Sequence, residues 1–304
     1  MTIKTKFGKF LANLELTDAQ KQDAETKHTR VRKSLHEAFY KTPYNGKTSL
    51  VVGSYGKHTA IRPTSDIDIL FMVPGSEFAR YNGLQGNKQS RLLQDIKSRL
   101  VDLYPNTDLR ADGQVVSVPM TTFKVELAPG FLGEENKFWI CDTNNGGSWK
   151  LVDPYWEMNT LATSDTRSVG NTLRLIKMMK AWKRFCNVPI KSFSIEIMMR
   201  SFLQGWAHYN RPTDYYHWIV KDFFAYLIPY AGGNFTIPTT KERVALGEEW
   251  KSKAESALAR AKKAYECEIG SKSDAATEEW KKIFGSSFNC TETLPGISGR
   301  ALNR

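Results

Sequence analysis

The sequence predicts an α+β protein of two lobes: a small mixed sheet with its helices over residues 1–153, a helical lobe over 154–290, and a tail at 291–304. Three observations carry this. Short apolar runs bounded by turn residues, at 48–52, 67–73, 114–118 and 122–127, read as strands, with one clear helical period at 88–103 between them. After Asp153-Pro154 the pattern changes, and helical periods follow one another with only short breaks. The 304 residues are 41% hydrophobic and 25% charged, enough apolar material for sizeable cores in a globular chain.

The elements follow in order. Thr17-Asp18 opens a helix over 17–40, with Val31, Leu35, Ala38 and Phe39 on its inward face. Tyr44-Asn45-Gly46-Lys47 is turn chemistry, leading into the strand at 48–52. The strand at 67–73 stops at Pro74-Gly75, and the helix at 88–103 rests on Leu92, Leu93, Ile96 and Leu100. The strand at 122–127 runs towards Pro129-Gly130. Helices are expected at 154–162, 166–185, 192–209, 213–229 and 240–268, with Asn187-Val188-Pro189 and Asn210-Arg211-Pro212 supplying two of the breaks. Pro295, Gly296 and Gly299 mark the tail.

Composition narrows the class. No stretch approaches the ~20 apolar residues of a membrane span, and the lysine-interleaved start at residues 1–10 lacks a leader's apolar core, so a cytoplasmic protein with no membrane partner is expected. Cys141, Cys186, Cys267 and Cys290 form no CxxC pair, which argues against a zinc ribbon or a disulfide framework and for free thiols. His28, His36, His58, His208 and His217 show no metal-ligand spacing. Aromatic runs such as Tyr215-Tyr216-His217-Trp218 are expected to pack helices together. The net charge of +11 favours anionic partners such as nucleotides or nucleic acid.

One constellation carries chemistry. Val51-Val52-Gly53-Ser54 ends a buried strand on a glycine, which lets the backbone approach a phosphate, and on a hydroxyl donor. Asp66, Asp68 and Leu70 share one face of the next strand, Ile67, Ile69 and Phe71 the other, and the two carboxylates lie about 6–7 Å apart along it. They can converge on divalent cations, and two magnesium ions clamp the attacking and leaving oxygens of a phosphoryl displacement. A lone acid pair of this kind is more often surface charge; the neighbouring Gly-Ser turn is what sets this one apart. On the strand at 122–127, Thr122, Lys124 and Glu126 face opposite to Phe123, Val125 and Leu127. Glu126 is the preferred third acid over Asp108 and Asp112, which lie in turn-like sequence; the plainer alternative is an exposed acid on an edge strand.

The run Val52-Gly53-Ser54-Tyr55-Gly56-Lys57-His58-Thr59-Ala60-Ile61-Arg62-Pro63-Thr64-Ser65-Asp66-Ile67-Asp68-Ile69 resembles the polymerase-β-type nucleotidyltransferase motif, and most of all that of the cGAS/DncV-like nucleotidyltransferases (CD-NTases) of bacterial anti-phage signalling, CBASS. Val125-Glu126-Leu127-Ala128-Pro129-Gly130-Phe131 resembles the family's third-acid strand, where aspartate is more usual. The resemblance implies a polymerase-β-like lobe with the active site in the cleft against the helical lobe, and Asp66, Asp68 and Glu126 as catalytic and metal ligands for two Mg²⁺, with Mn²⁺ able to substitute. It implies nucleotide binding by Gly53, Ser54, Lys177 and Ser194. Lys177 lies on a stripe with Arg174 and Lys180 that would otherwise read as a solvated basic face. The implied function is a cyclic di- or trinucleotide synthase using ATP and other NTPs, with a downstream cyclic-nucleotide-activated effector protein, a regulatory protein partner and no zinc-dependent DNA sensing. The alternatives are a nucleotidyltransferase acting on a small molecule, protein or RNA end, and an inactive nucleotide- or RNA-binding module.

Overall fold

The computed structural model describes residues 2–63 and 66–288, so the expected tail at 291–304 and Cys290 lie outside the described residues. The chain opens with a helix that the sequence reading did not assign, α1 (Ile3–Leu14), followed by α2 (Asp18–Tyr40). Thr17 and Gln20 form a reciprocal capping box that fixes the start of α2. Then come β1 (Ser49–Val52), a single helical turn α3 (Gly53–Gly56), β2 (Ile67–Met72), α4 (Phe78–Asn82) and α5 (Lys88–Val101). Five further strands complete the sheet: β3 (Arg110–Asp112), β4 (Val115–Pro119), β5 (Lys124–Leu132), β6 (Phe138–Asp142) and β7 (Ser148–Val152).

The strand order is β1-β2-β5-β4-β3, mixed in direction: β2 and β5 are parallel, and the other pairings are antiparallel. Strand β5 is long enough to serve two partners besides β2. Its first residues pair with β4, and Gly130 to Leu132 pair with β6, which carries β7 beyond it. The β6–β7 hairpin was not expected; its runs are short and end in polar turn residues. On one face of the sheet Ile67, Ile69, Phe71, Val116, Val118, Val125 and Leu127 pack with Leu92, Leu93, Ile96 and Leu100 of α5 and Val31 and Leu35 of α2. Alternation sends Leu70 to the opposite face, against Phe138 and Ile140.

Beyond β7 the chain is helical: α6 (Pro154–Arg167), α7 (Asn171–Phe185), α8 (Ser192–Gly205) and α9 (Tyr216–Leu227). Asp153 caps α6 by accepting the Trp156 N–H at 2.8 Å. The expected long helix at 240–268 is corrected at its start. A small hairpin, β8 (Asn234–Thr236) with β9 (Arg243–Ala245), precedes α10 (Lys251–Ile269), and Gly247 takes a φ of +72° that interrupts any helix there. A further helix, α11 (Ser273–Phe284), was not expected.

Helix α1 belongs by packing to the helical half. Phe7, Phe10, Leu11 and Leu14 recur at helical spacing and join a core with Trp182, Phe223, Phe224, Trp280 and Phe284. The Phe7 ring meets Tyr216, Trp280 and Phe288 edge-on. Lys6, buried beside them, donates to Glu268 Oε1 at 3.0 Å and to the Ser273 carbonyl at 2.8 Å. The sheet is therefore confined to residues 49–152, while the helical core draws on both ends of the described chain. No helix among the described residues is long and apolar enough to cross a membrane.

Phe7→Ala is expected to cost about 3–5 kcal/mol, the range for emptying a fully buried aromatic site. Urea denaturation measures it, and a change under 1 kcal/mol would show that α1 is not integral to the helical core.

Candidate active site

Strand β1 delivers its chain to a turn that only glycine tolerates. Gly53 has a φ of +58°, and a Cβ built on it would lie 1.7 Å from Asp68 Oδ2. The Asp68 carboxylate thus rests directly against the Gly53 backbone. The Ser54 carbonyl accepts the N–H groups of Thr59 at 2.8 Å and Ala60 at 3.1 Å, which closes the loop behind α3. Antiparallel pairing sets Val52 opposite Asp68, so the turn and the acid strand are held in one register.

The parallel pairing of β2 with β5 sets Asp68 directly opposite Glu126. Asp66 stands just before β2, and the Lys124 ammonium bridges the set, 3.2 Å from Asp66 Oδ2 and 2.5 Å from Glu126 Oε1. Burial first, then repulsion from Glu126 and Asp66, push the Asp68 carboxyl up to about 6, against partial relief from Lys57 and Lys124. Hydrogen bonding to Glu126 holds the Lys124 ammonium above its ordinary range. Among the described residues, no three or more His, Cys, Asp or Glu side chains are gathered closely enough to enclose a metal ion by themselves. A carboxylate pair that shares one cation nevertheless suits magnesium, which takes one or two protein carboxylates and fills its shell from substrate phosphate and water.

These groups open onto a cleft of about 620 Å³ lined by Gly53, Ser54, Lys57, Asp66 and Asp68 on one side and by Lys180, Lys183, Arg184, Ser192 and Phe193 on the other. Glu126 is not among the lining residues but is tied to Asp66 through Lys124. Across the cleft Lys183 donates to Ser192 Oγ at 3.2 Å, and Arg184 donates to the Arg62 carbonyl at 2.7 Å. At the back, Lys57 reaches Glu157 and Glu196, each at 2.8 Å, and Lys180 reaches Glu196 at 3.0 Å and Thr59 Oγ at 2.5 Å.

The two expected residues from the helical half lie elsewhere. Lys177 pairs with Glu15 at 2.5 Å and lines a separate hollow of about 350 Å³ behind α3, with His28 and Tyr55. Ser194 is fully buried, and its Oγ has no hydrogen-bond partner among the described residues. The reason is helical geometry. An α-helix turns 100° per residue, so steps of three drift by about 60° and the stripe Arg174, Lys177, Lys180 winds around α7. Its Lys180 end, with Lys183, faces the cleft, and Arg184, at nearly the angle of Lys177, reaches it because it lies about 10 Å further along α7. Likewise Ser192 and Ser194 differ by about 200° on α8, so one faces the cleft and the other the core. Lys57, Thr59, Lys180, Lys183 and Ser192 are thus the cleft groups that motif spacing missed; the angular position of each cation on α7 was the signal for two of them.

With this geometry in place, comparison with known proteins is informative. The sequence model of the Second Messenger Oligonucleotide or Dinucleotide Synthetase domain, SMODS, matches residues 1–164. A Bacillus cereus (strain VD146) protein described as a probable cyclic nucleotide synthase is 23% identical over 212 residues, 60% of this chain and 63% of its own length. An Escherichia coli (strain KTE188) CBASS oligonucleotide cyclase, CdnC, is 26% identical over 169 residues, 52% of this chain and 51% of its own. The chain thus spans between half and two thirds of these relatives. In structure, E. coli MS115-1 CdnC solved with ATP superposes with a TM-score of 0.74 at 17% identity, covering 95% of this chain and 99% of that one. The same CdnC in complex with a HORMA protein gives 0.71 at 18%, covering 93% and 97%. At such identities the structural likeness is one of fold, and the mixed sheet with a helical half is that fold.

Two outcomes are expected. Gly53→Ala destabilises the protein by at least about 1 kcal/mol, since it adds a left-handed penalty to the clash with Asp68; an unchanged urea midpoint would mean the turn relaxes freely. Asp68→Asn raises the Tm in EDTA at pH 8. The folded carboxyl titrates above its unfolded value, so its ionisation opposes folding fully above about pH 6 and not at all below pH 4. The gain should therefore vanish on acidification to pH 4; a gain of equal size at both pH values would contradict the assignment.

Proposed function

This chain belongs to the family of Second Messenger Oligonucleotide or Dinucleotide Synthetase domains, and we propose that it is a nucleotidyltransferase that joins NTPs, ATP among them, into a cyclic di- or trinucleotide. The observation that carries this reading is the meeting of acids and cations at one cleft. Asp66 and Asp68 face Lys180, Lys183 and Arg184 across the Gly53-Ser54 turn, with Glu126 paired to Asp68 across the sheet.

In the proposed reaction the donor triphosphate lies along Gly53 and Ser54, with Lys180, Lys183 and Ser192 around its β- and γ-phosphates. These replace Lys177 and Ser194, which point elsewhere. Asp66, Asp68 and Glu126 would hold two magnesium ions, which would supply charge neutralisation at the reacting phosphate and acidify the attacking hydroxyl. The hydroxyl oxygen of a second nucleotide forms the new bond to the α-phosphorus, the bond to the β-phosphate oxygen breaks, pyrophosphate leaves and the hydroxyl proton passes to solvent. Lys180 and Lys183 offset the charge that gathers on the leaving pyrophosphate. Repetition with the roles of the nucleotides exchanged closes the ring.

The reading extends to the setting of the reaction. NTP substrates support a cytoplasmic setting. The CBASS cyclase relative supports a role in antiviral defence through an effector that responds to the product, and the HORMA complex of CdnC supports a regulatory protein partner.

Incubation of the purified protein with labelled ATP and GTP, Mg²⁺ and no other acceptor should yield a phosphatase-resistant product, with Mn²⁺ able to replace Mg²⁺. Label left entirely in forms that phosphatase degrades would mean that the chain needs an acceptor other than a nucleotide. Asp66→Ala and Asp68→Ala should each lower pyrophosphate release by about a thousand-fold or more; full turnover in either variant would remove these acids from the site.

A further inference from the structure

The most heavily buried charged cluster among the cleft residues lies at the back of the cleft. Glu196, 5% exposed on the first turns of α8, has no direct place in the reaction proposed above. Its two oxygens are divided between two lysines from different parts of the chain. Oε2 meets Lys57, which follows the Gly53-Ser54 turn, at 2.8 Å, and Oε1 meets Lys180 of α7 at 3.0 Å. Thr59 Oγ stands beside both, donating to Glu196 at 3.3 Å and accepting from Lys180 at 2.5 Å. Glu157 of α6 caps the other side of Lys57. Two lysines and two glutamates thus make a neutral cluster that joins the phosphate turn to α6, α7 and α8.

We propose that Glu196 is the positioning residue of the phosphate cleft: its one carboxylate holds Lys57 beneath the Gly53-Ser54 turn and keeps Lys180 charged and aimed at the incoming triphosphate. The inference rests on the nucleotidyltransferase reading and deepens it. An exposed lysine needs no help to stay protonated, but Lys180 is 9% exposed, and its surroundings work against its charge. Burial lowers its proton affinity, Lys57 and Lys183 lower it further, and Glu196 is the group that opposes them. Lys57 is in a different position. Burial opposes its charge too, but Glu196 and Glu157 together outweigh it, so it keeps its proton with either one removed less readily than with both. The Glu196 carboxyl itself, despite burial, is held below its usual range by Lys57 and Lys180. Arg200, on the same helix, also faces Glu196 electrostatically.

The consequence has a sign. Replacing Glu196 by glutamine keeps the shape but leaves the cluster with a surplus positive charge, and Lys180 is the member least able to bear it. Its ammonium then loses its proton at a lower pH than in the native protein, and the triphosphate loses a cationic partner as pH rises.

The test is binding of a non-hydrolysable ATP analogue with Mg²⁺, followed by calorimetry from pH 6.5 to 9.5 on the full chain. Glu196→Gln should bind within a few-fold of native at pH 6.5 and at least about tenfold more weakly at pH 9. Glu196→Asp keeps the charge but not the reach to both lysines, so its binding should be weaker at every pH with the native profile. Should the glutamine variant not fold, as its Tm would reveal, the aspartate variant carries the test alone, and native affinity in it overturns the proposal. Parallel pH profiles for native protein and Glu196→Gln would also overturn it, by making Glu196 a packing residue. Failure of the wider reading looks different: native protein that binds the analogue yet makes no pyrophosphate from NTPs loses the proposed reaction and keeps the Glu196 assignment.

Discussion

The parallel register of β2 on β5 is the constraint on which the site depends. It sets Asp68 level with Glu126, and the antiparallel register of β1 on β2 then sets Val52, and so the Gly53 turn, against the same Asp68. Side chains alternate along a strand, so a slip of one residue in either pairing would send an acid into the apolar layer with Ile67, Ile69 and Phe71. That layer, packed against α2 and α5, makes the slip costly. The placement of the acids is thereby enforced by hydrophobic packing on the far side of the sheet, and the crowding of like charges is tolerated because Lys124 and Lys57 lie close by.

The opposite wall of the cleft is built on another principle. Helices α7 and α8 are fixed by an extensive apolar core, and the cations of α7 reach the cleft at the helix edge. Apolar packing sets the distance between the walls, and a buried ionic cluster sets their alignment. Paired charges of this kind contribute little net stability once desolvation is counted, but each restricts its partners to one arrangement. The cluster around Glu196 fits that role, since it joins residues from α3's loop, α6, α7 and α8.

Much of this was legible in the sequence where local rules govern. Strand alternation separated Asp68 from Ile67 and Ile69 and singled out Glu126 over Asp108 and Asp112, and the cap at Asp153 marked where helices begin. What escaped was decided by longer-range packing. Helix α1 carries Phe7, Phe10, Leu11 and Leu14 at plain helical spacing, but its lysines disguised a segment whose partners, Trp280 and Phe284, lie at the other end of the chain. The β6–β7 hairpin forms because β5 outruns β4 and offers a free edge. Lys177 was preferred to Lys180 because family spacing locates a helix more firmly than it locates the direction of one side chain on it.

The docking of α1 against α11 has a bearing on how the protein comes into being. Phe7 meets Trp280, Phe10 meets Phe284, and Asn13 donates to the Ser287 carbonyl at 3.0 Å. During translation, the apolar face of α1 stays uncovered until α11 has been made. The sheet, whose strands are all made by residue 152, can close well before then. A chain cut short before α11 would therefore carry all three acids in register and still lack a finished wall opposite them.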